Sequence, residues 1–263
     1  MLRIIYPFIF IFMVSSCSMN MFYYFPDKNP VEASPLATDH YIEYKEGKNI
    51  HGLFFQKENP VATVFILHGN AGSLTGWQSV SEMFWEEGYQ SFIIDYPEFG
   101  NSDGKAKHNQ VIESSQKAFD YFLSLPEVEG TKKIVLGFSL GGNLALKVAT
   151  ENQDKIDALV VEGAFTNYRD IGIASVPKIL RFAPWMVLGN KFKGEELIRD
   201  FKKPILVVHS TEDEVIPYKM GEEIYKNAGS IRKELWTIKG LHLQGFGLHP
   251  TEYFYKIRNL LVD

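Results

Sequence analysis

Lys132-Lys133-Ile134-Val135-Leu136-Gly137-Phe138-Ser139-Leu140-Gly141-Gly142 is the stretch on which the fold turns. Its first half is an apolar, β-branched run, the pattern of a strand buried on both faces. Its second half is G-x-S-x-G with one further glycine, and residues 140–150 continue at helical spacing. A buried strand, a tight turn and a helix form the context in which G-x-S-x-G has meaning. The glycines let strand and helix approach closely, and the serine is raised above the C-terminal edge of a sheet. Its Oγ then sits at a helix N-terminus, where backbone N–H groups favour developing negative charge. Ser139 is the candidate nucleophile.

The same alternation continues on either side. Upstream, Ala62-Thr63-Val64-Phe65-Ile66-Leu67 is a second apolar run, ending in His68-Gly69-Asn70-Ala71-Gly72. An amphipathic stretch over 77–87 follows it, then a strand at 90–95 and a helix at 109–124. Residues 41–44 and 50–55 read as an opening pair of strands around a Glu46-Gly47-Lys48-Asn49 turn. Downstream come strands at 158–161, 204–209 and 234–238, with helices at 140–150, 218–227 and 251–261. Apolar runs of this kind separated by helices predict an α/β fold with a mostly parallel central sheet covered on both faces. Residues 39–263 form one such domain. Residues 165–203 interrupt the alternation and are too long for a simple connection. Val176, Ile179, Leu180, Phe182, Trp185, Met186, Val187 and Leu188, broken by Pro177 and Pro184, predict two short helices. They would form a lid whose apolar face roofs the nucleophile.

Composition narrows the function. The 263 residues are 45% hydrophobic and 22% charged, a globular balance. Lys+Arg 27 against Asp+Glu 32 leaves a net charge of -5 and no basic block, which argues against nucleic acid as a partner. The single cysteine, Cys17, excludes an intramolecular disulfide and cysteine-based zinc or iron–sulfur sites within one chain.

That cysteine closes an N-terminal targeting segment. Arg3 is the only charge before Asp27, and residues 4–14 are all apolar. The run is about half of the roughly 20 residues a spanning helix needs, and suits the hydrophobic region of a secretory signal. Val14-Ser15-Ser16-Cys17 resembles the lipobox of bacterial lipoproteins, in which the cysteine is lipidated and becomes the mature N-terminus. The resemblance implies a signal peptide at 1–17, lipidation at Cys17, and a membrane anchor in the bacterial cell envelope, periplasmic or on the outer membrane. Ser18, rather than Asp, fits outer-membrane sorting in a Gram-negative source. Residues 18–38, with Pro26, Asn29, Pro30 and Pro35, read as a tether. The alternative is an uncleaved anchor, since Met19, Met21, Phe22, Tyr23, Tyr24 and Phe25 prolong the apolar stretch.

A nucleophilic serine needs a base, and the base an orienting acid. After the strand at 204–209 come Glu212, Asp213 and Glu214 side by side. One of them can point inward, leaving the others as solvated loop charges. After the strand at 234–238 comes His242, with His249 as its rival. His40, His51 and His108 read as structural. His68 and His209 end strands, but no carboxylate-rich ligand spacing accompanies them, so no metal site is expected. Neither a Walker lysine nor a dinucleotide fingerprint is present, and no organic cofactor is implied.

Taken together these residues resemble the α/β-hydrolase superfamily, within it the serine hydrolases carrying HGNAG, DYxGFGxSxG, GxSxGG and HGxxDxxVP. Here the motifs read His68-Gly69-Asn70-Ala71-Gly72, Asp95-Tyr96-Pro97-Glu98-Phe99-Gly100-Asn101-Ser102-Asp103-Gly104, residues 137–142, and residues 209–217. The resemblance covers about residues 41–261 in the family's order. It implies Ser139 as nucleophile, Asp213 as acid and His242 as base. It also implies an oxyanion hole from the backbone N–H of Leu140 and of Asn70, with Ala71 the neighbouring alternative. The activity implied is cleavage of a small-molecule ester or thioester; the same triad serves peptide cleavage, and a non-catalytic envelope lipoprotein is the alternative of another class. Three positions depart from the pattern. Glu98 stands where the family usually has Gly, Ser210 replaces the usual Gly after His209, and Gly240-Leu241 precede His242 where the family often has Gly.

Overall fold

The computed structural model describes residues 24–174 and 193–262. Ten strands are described: β1 (Phe25–Pro26), β2 (Thr38–Lys45), β3 (Lys48–Phe55), β4 (Thr63–Leu67), β5 (Ala71–Gly72), β6 (Gln90–Ile94), β7 (Lys133–Phe138), β8 (Ala158–Glu162), β9 (Ile205–Ser210) and β10 (Lys233–Ile238). Eight of them form one sheet in the order β10-β9-β8-β7-β4-β6-β3-β2. From β10 to β6 every pairing is parallel; β3 runs antiparallel to β6, and β2 to β3. The central strands β4, β6, β7, β8 and β9 are almost wholly buried, as their unbroken apolar runs require.

Alternation along the strands divides the interior into two cores. Phe65, Leu67, Phe92, Ile94, Val135, Val161 and Val207 face one side, packing against helices α2 (His108–Ser124), α3 (Leu140–Glu151) and α6 (Tyr218–Asn227). Val64, Ile66, Ile93, Leu136, Phe138, Val160 and Val208 face the other, under α1 (Leu74–Glu86) and α8 (Pro250–Leu260). Short helices α4 (Tyr168–Ala174), α5 (Gly194–Leu197) and α7 (Gly245–Leu248) lie in the connections. α8 begins on Pro250, whose missing N–H costs nothing in a first turn.

The fold is the α/β arrangement that the sequence predicts. Sequence alone puts residues 18–38 in a tether, whereas from Tyr24 onward the chain is packed on the domain. Tyr24 and Val31 are buried, and β1 pairs in parallel with β5. Val31 N–H donates to Asn101 Oδ1 at 3.1 Å and Ser34 N–H to Gln78 Oε1 at 2.9 Å. A two-residue edge strand tolerates its proline because nothing beyond the edge needs that N–H. In the insertion, an antiparallel bridge between Asn167 and Lys193 joins its two ends. The two helices expected over 176–188 lie outside the described residues.

Candidate active site

β7 leaves the sheet at Ser139, which has φ 52 and ψ -112 and is followed directly by α3. A non-glycine residue at positive φ is strained, and such strain persists only where surrounding structure enforces it. Here the enforcement is close backbone contact. A Cβ on Gly137 would stand 2.2 Å from Gly141 O, and one on Gly141 would stand 2.0 Å from Leu67 O. The turn is thus clamped between the neighbouring strand and its own helix. Ser139 N–H donates to Glu162 O at 2.9 Å, tying the elbow to the end of β8. Leu140 is the first residue of α3, one of the helix-start amides with no partner inside the helix.

Of the three acids after β9, Asp213 points inward, its side chain 1% exposed. Its Oδ2 accepts from His242 Nδ1 at 2.7 Å. Its Oδ1 accepts the backbone N–H of Val215 at 2.9 Å and of Ile216 at 2.8 Å. Burial pushes the Asp213 carboxyl up, but hydrogen bonds from His209, His242 and the Ile216 N–H outweigh it and hold the group well below the usual carboxylate range. His209 donates from Nε2 to Ile216 O at 3.0 Å and lies 3.4 Å from Asp213 Oδ2, bracing the loop.

Glu212 and Glu214 do more than the solvated loop charges that sequence suggests. Glu212 Oε2 accepts the Gly240 N–H, and Glu214 Oε2 accepts the His242 N–H, both at 3.0 Å. Ser210, where the family usually has Gly, donates its hydroxyl to Gly240 O and accepts the Glu212 N–H at 3.0 Å. Acid loop and histidine loop are therefore laced together. His249 stands apart, edge-on to Trp236 and capping the start of α8.

The histidine also meets the end of β8. Gly163 has φ 57, and a Cβ there would come within 2.8 Å of His242 Cε1. The residue before it, Glu162, is 2% exposed and escaped the sequence reading. Its Oε1 accepts the Gly245 N–H at 2.8 Å. Burial raises its pKa to about 7, against the lowering effect of the Gly245 hydrogen bond and of the nearby Tyr253, His242 and His209. An ionisable residue closing an otherwise apolar strand was the available signal.

Across the site lies the His68–Gly72 loop. A Cβ on Gly69 would stand 3.8 Å from Ser139 Cβ, which places this loop beside Ser139. His68 Nδ1 donates to Gly69 O at 2.6 Å, Tyr96 OH donates to His68 O at 2.7 Å, and His68 Nε2 lies 3.2 Å from buried Asp95 Oδ1. The C=O and N–H of one trans peptide point in opposite directions, so the bond to Gly69 O turns the Asn70 N–H away from His68. Asn70 O accepts from Phe25 N–H at 2.9 Å, and Ala71 O from Trp77 Nε1 at 3.0 Å. The loop is held on several sides.

Glu98 occupies its glycine position at φ 79. Burial raises its carboxyl, but hydrogen bonds from Lys28, the Ala106 N–H and Lys105 dominate and bring it down to about 2. These contacts offset the strain of a side chain there. The remaining histidines have local partners: His40 with Tyr121 OH, His51 with Asp39, His108 with Tyr24 OH. Among the described residues no group of three or more His, Cys, Asp or Glu side chains is placed to hold a metal ion.

A mostly parallel sheet with a strained serine elbow, and an acid–histidine pair past later strands, defines an α/β-hydrolase. The chain belongs to the serine aminopeptidase S33 family of hydrolases, whose model matches residues 58–200. It is 27% identical over 257 residues to the protein YfhR of Salmonella typhi, covering 90% of this chain and 85% of that one. It is also 27% identical over 187 residues to the lysophosphatidylserine lipase ABHD12 of Macaca fascicularis, covering 65% of this chain and 46% of that one. The fold is similar to that of the Pyrococcus furiosus esterase Pf2001, with TM-score 0.73 and 20% identity over 90% of this chain and 98% of that one.

Proposed function

We propose that the protein is a serine hydrolase that cleaves an ester or thioester through an acyl-enzyme. The observation that carries this reading is the 2.7 Å bond from His242 Nδ1 to Asp213 Oδ2, at the sheet edge that also carries Ser139 in its strained elbow. With Nδ1–H committed to Asp213, the imidazole keeps Nε2 as the basic nitrogen. Nε2 takes the proton from Ser139 Oγ as the oxygen attacks the substrate carbonyl. The Asn70 and Leu140 N–H groups stabilise the resulting oxyanion, each worth about 3 kcal/mol by analogy with donor deletions in other hydrolases. Collapse expels an alcohol or thiol, protonated by His242. Water, deprotonated by the same nitrogen, then releases the carboxylic acid and restores Ser139.

Lipase and esterase relatives support an ester-type substrate. The family description supports a second reading, peptide cleavage by the same residues. A fluorophosphonate label and two substrate series, p-nitrophenyl esters and aminoacyl p-nitroanilides, test both. Ester turnover with labelling lost in Ser139→Ala is the expected result. Anilide turnover alone would favour the peptidase, and labelling that survives Ser139→Ala would sink the assignment. The protein is further proposed to be a lipoprotein anchored through Cys17. Incorporation of an alkyne fatty acid by the unaltered chain but not by Cys17→Ser is expected; no incorporation into either would end that reading.

A further inference from the structure

We propose that the catalytic edge of the domain is held against a lipid bilayer and takes its acyl ester from that surface. The inference deepens the hydrolase reading and rests on it for the chemistry. Its first support is where the chain enters the fold. Tyr24 and Phe25 lie at the catalytic edge, with Phe25 N–H on Asn70 O and β1 alongside β5. Six residues lie between Cys17 and Tyr24, so the seven steps from one to the other span at most about 25 Å when fully extended. If the apolar run ending at Val14 is the anchor instead, the span is at most about 35 Å. A domain of this size is about 45 Å across. Either anchor therefore reaches the bilayer with the catalytic edge near it, and neither can turn the opposite edge towards it.

The second support is the composition of the short connection. Met19-Asn20-Met21-Phe22-Tyr23 carries no charge and two aromatic residues, and Phe25, just beyond buried Tyr24, adds a third that is exposed. Aromatic side chains favour the membrane–water interface, so this composition suits a connection next to a bilayer. The third is the rim of the site. Phe25 is 55% exposed beside the Asn70 loop, Val215 50% on the acid loop, and Leu241 54% and Leu248 52% on the histidine loop. Apolar side chains thus flank the nucleophile on two sides. Exposed apolar residues occur at the opposite edge too, Ile231 and Val61 among them. The connection length is what singles out the catalytic edge.

The test uses the full chain, purified with its anchor and reconstituted into phosphatidylethanolamine–phosphatidylglycerol vesicles containing brominated acyl chains. Leu248→Cys and, separately, Ile231→Cys carry an environment-sensitive fluorophore. Quenching about threefold greater at position 248 than at 231 is expected for a rim seated in the interface. Equal quenching at both positions, or none at either, overturns the orientation. A second variant inserts about 30 Gly/Ser residues between Ser18 and Met19, which lowers the effective concentration of the bilayer at the site. Hydrolysis of a long-chain ester embedded in the vesicles should fall about tenfold while hydrolysis of soluble p-nitrophenyl acetate stays constant. An unchanged ratio overturns the surface-fed substrate. Failure to hydrolyse either ester would overturn the hydrolase reading itself, and the quenching comparison would still report the orientation.

Discussion

The Glu162 carboxylate accepts the Gly245 N–H at 2.8 Å and so fastens the loop carrying His242 to the strand end that also receives the Ser139 N–H. Burial raises Glu162 to about 7, and the groups facing it are Tyr253, His242 and His209. An acid whose folded pKa is raised contributes stability that is complete below its ordinary value near 4.5 and is lost as pH rises through about 7. Glu162→Gln keeps an acceptor for Gly245 and removes the titration. Its melting temperature should therefore gain on the unaltered protein between pH 5 and pH 8, by the equivalent of about 3 kcal/mol. Thermal denaturation across that range checks it, and parallel curves would refute the assignment.

Asp213 has the opposite sign. Its lowered pKa gives stability that is present above the ordinary carboxylate range and is lost as pH falls through the folded value. Asp213→Asn should flatten the acid limb of the stability curve. It should also lower esterase kcat by about 10⁴, as expected when an orienting acid no longer selects the tautomer. Ser139→Ala and His242→Ala should do the same or worse, and His249→Ala should leave kcat within about twofold. A dead His249→Ala beside an active His242→Ala would reassign the base.

Much of this was legible in the sequence for physical reasons. Strands buried on both faces leave apolar runs, and β4, β6, β7, β8 and β9 stand within a residue or so of the runs that announce them. Ser139, Asp213 and His242 each follow such a run, where parallel sheets present functional residues. The rest depends on partners distant in the chain. Glu162 meets Gly245 across 83 residues, and a glutamate ending a strand reads as a polar boundary. Glu212 and Glu214 read as solvated because their partners, the Gly240 and His242 N–H groups, belong to another loop. The segment from Tyr24 reads as tether because its prolines outweigh two buried apolar side chains, Tyr24 and Val31.

The strain at Ser139 is measurable apart from catalysis. With φ 52 and ψ -112 the backbone lies where glycine is easy and any Cβ costs energy. Ser139→Gly and Ser139→Ala both remove the side-chain hydroxyl, but only the first removes the strain. Ser139→Gly should be more stable than Ser139→Ala by about 1 kcal/mol, read from urea denaturation midpoints at equal m-values. Equal stability, or a more stable alanine variant, would show that the elbow stores no strain.

Gly163 offers a test of how the histidine is seated. At φ 57 it tolerates no side chain without strain, and an added Cβ would press within 2.8 Å of His242 Cε1 and 3.1 Å of Nδ1. The ring must shift to admit it, which disturbs its 2.7 Å bond to Asp213. Gly163→Ala should therefore cost about 1–2 kcal/mol of stability from the backbone alone. Its effect on catalysis should be larger than that loss explains, because an error of about 1 Å in placing a catalytic group can cost about 10² in rate. The expected signature is a kcat reduced about 100-fold at a temperature where the variant is fully folded, with KM for a short-chain p-nitrophenyl ester little changed. A variant that loses stability but retains kcat would show that His242 keeps its place without Gly163.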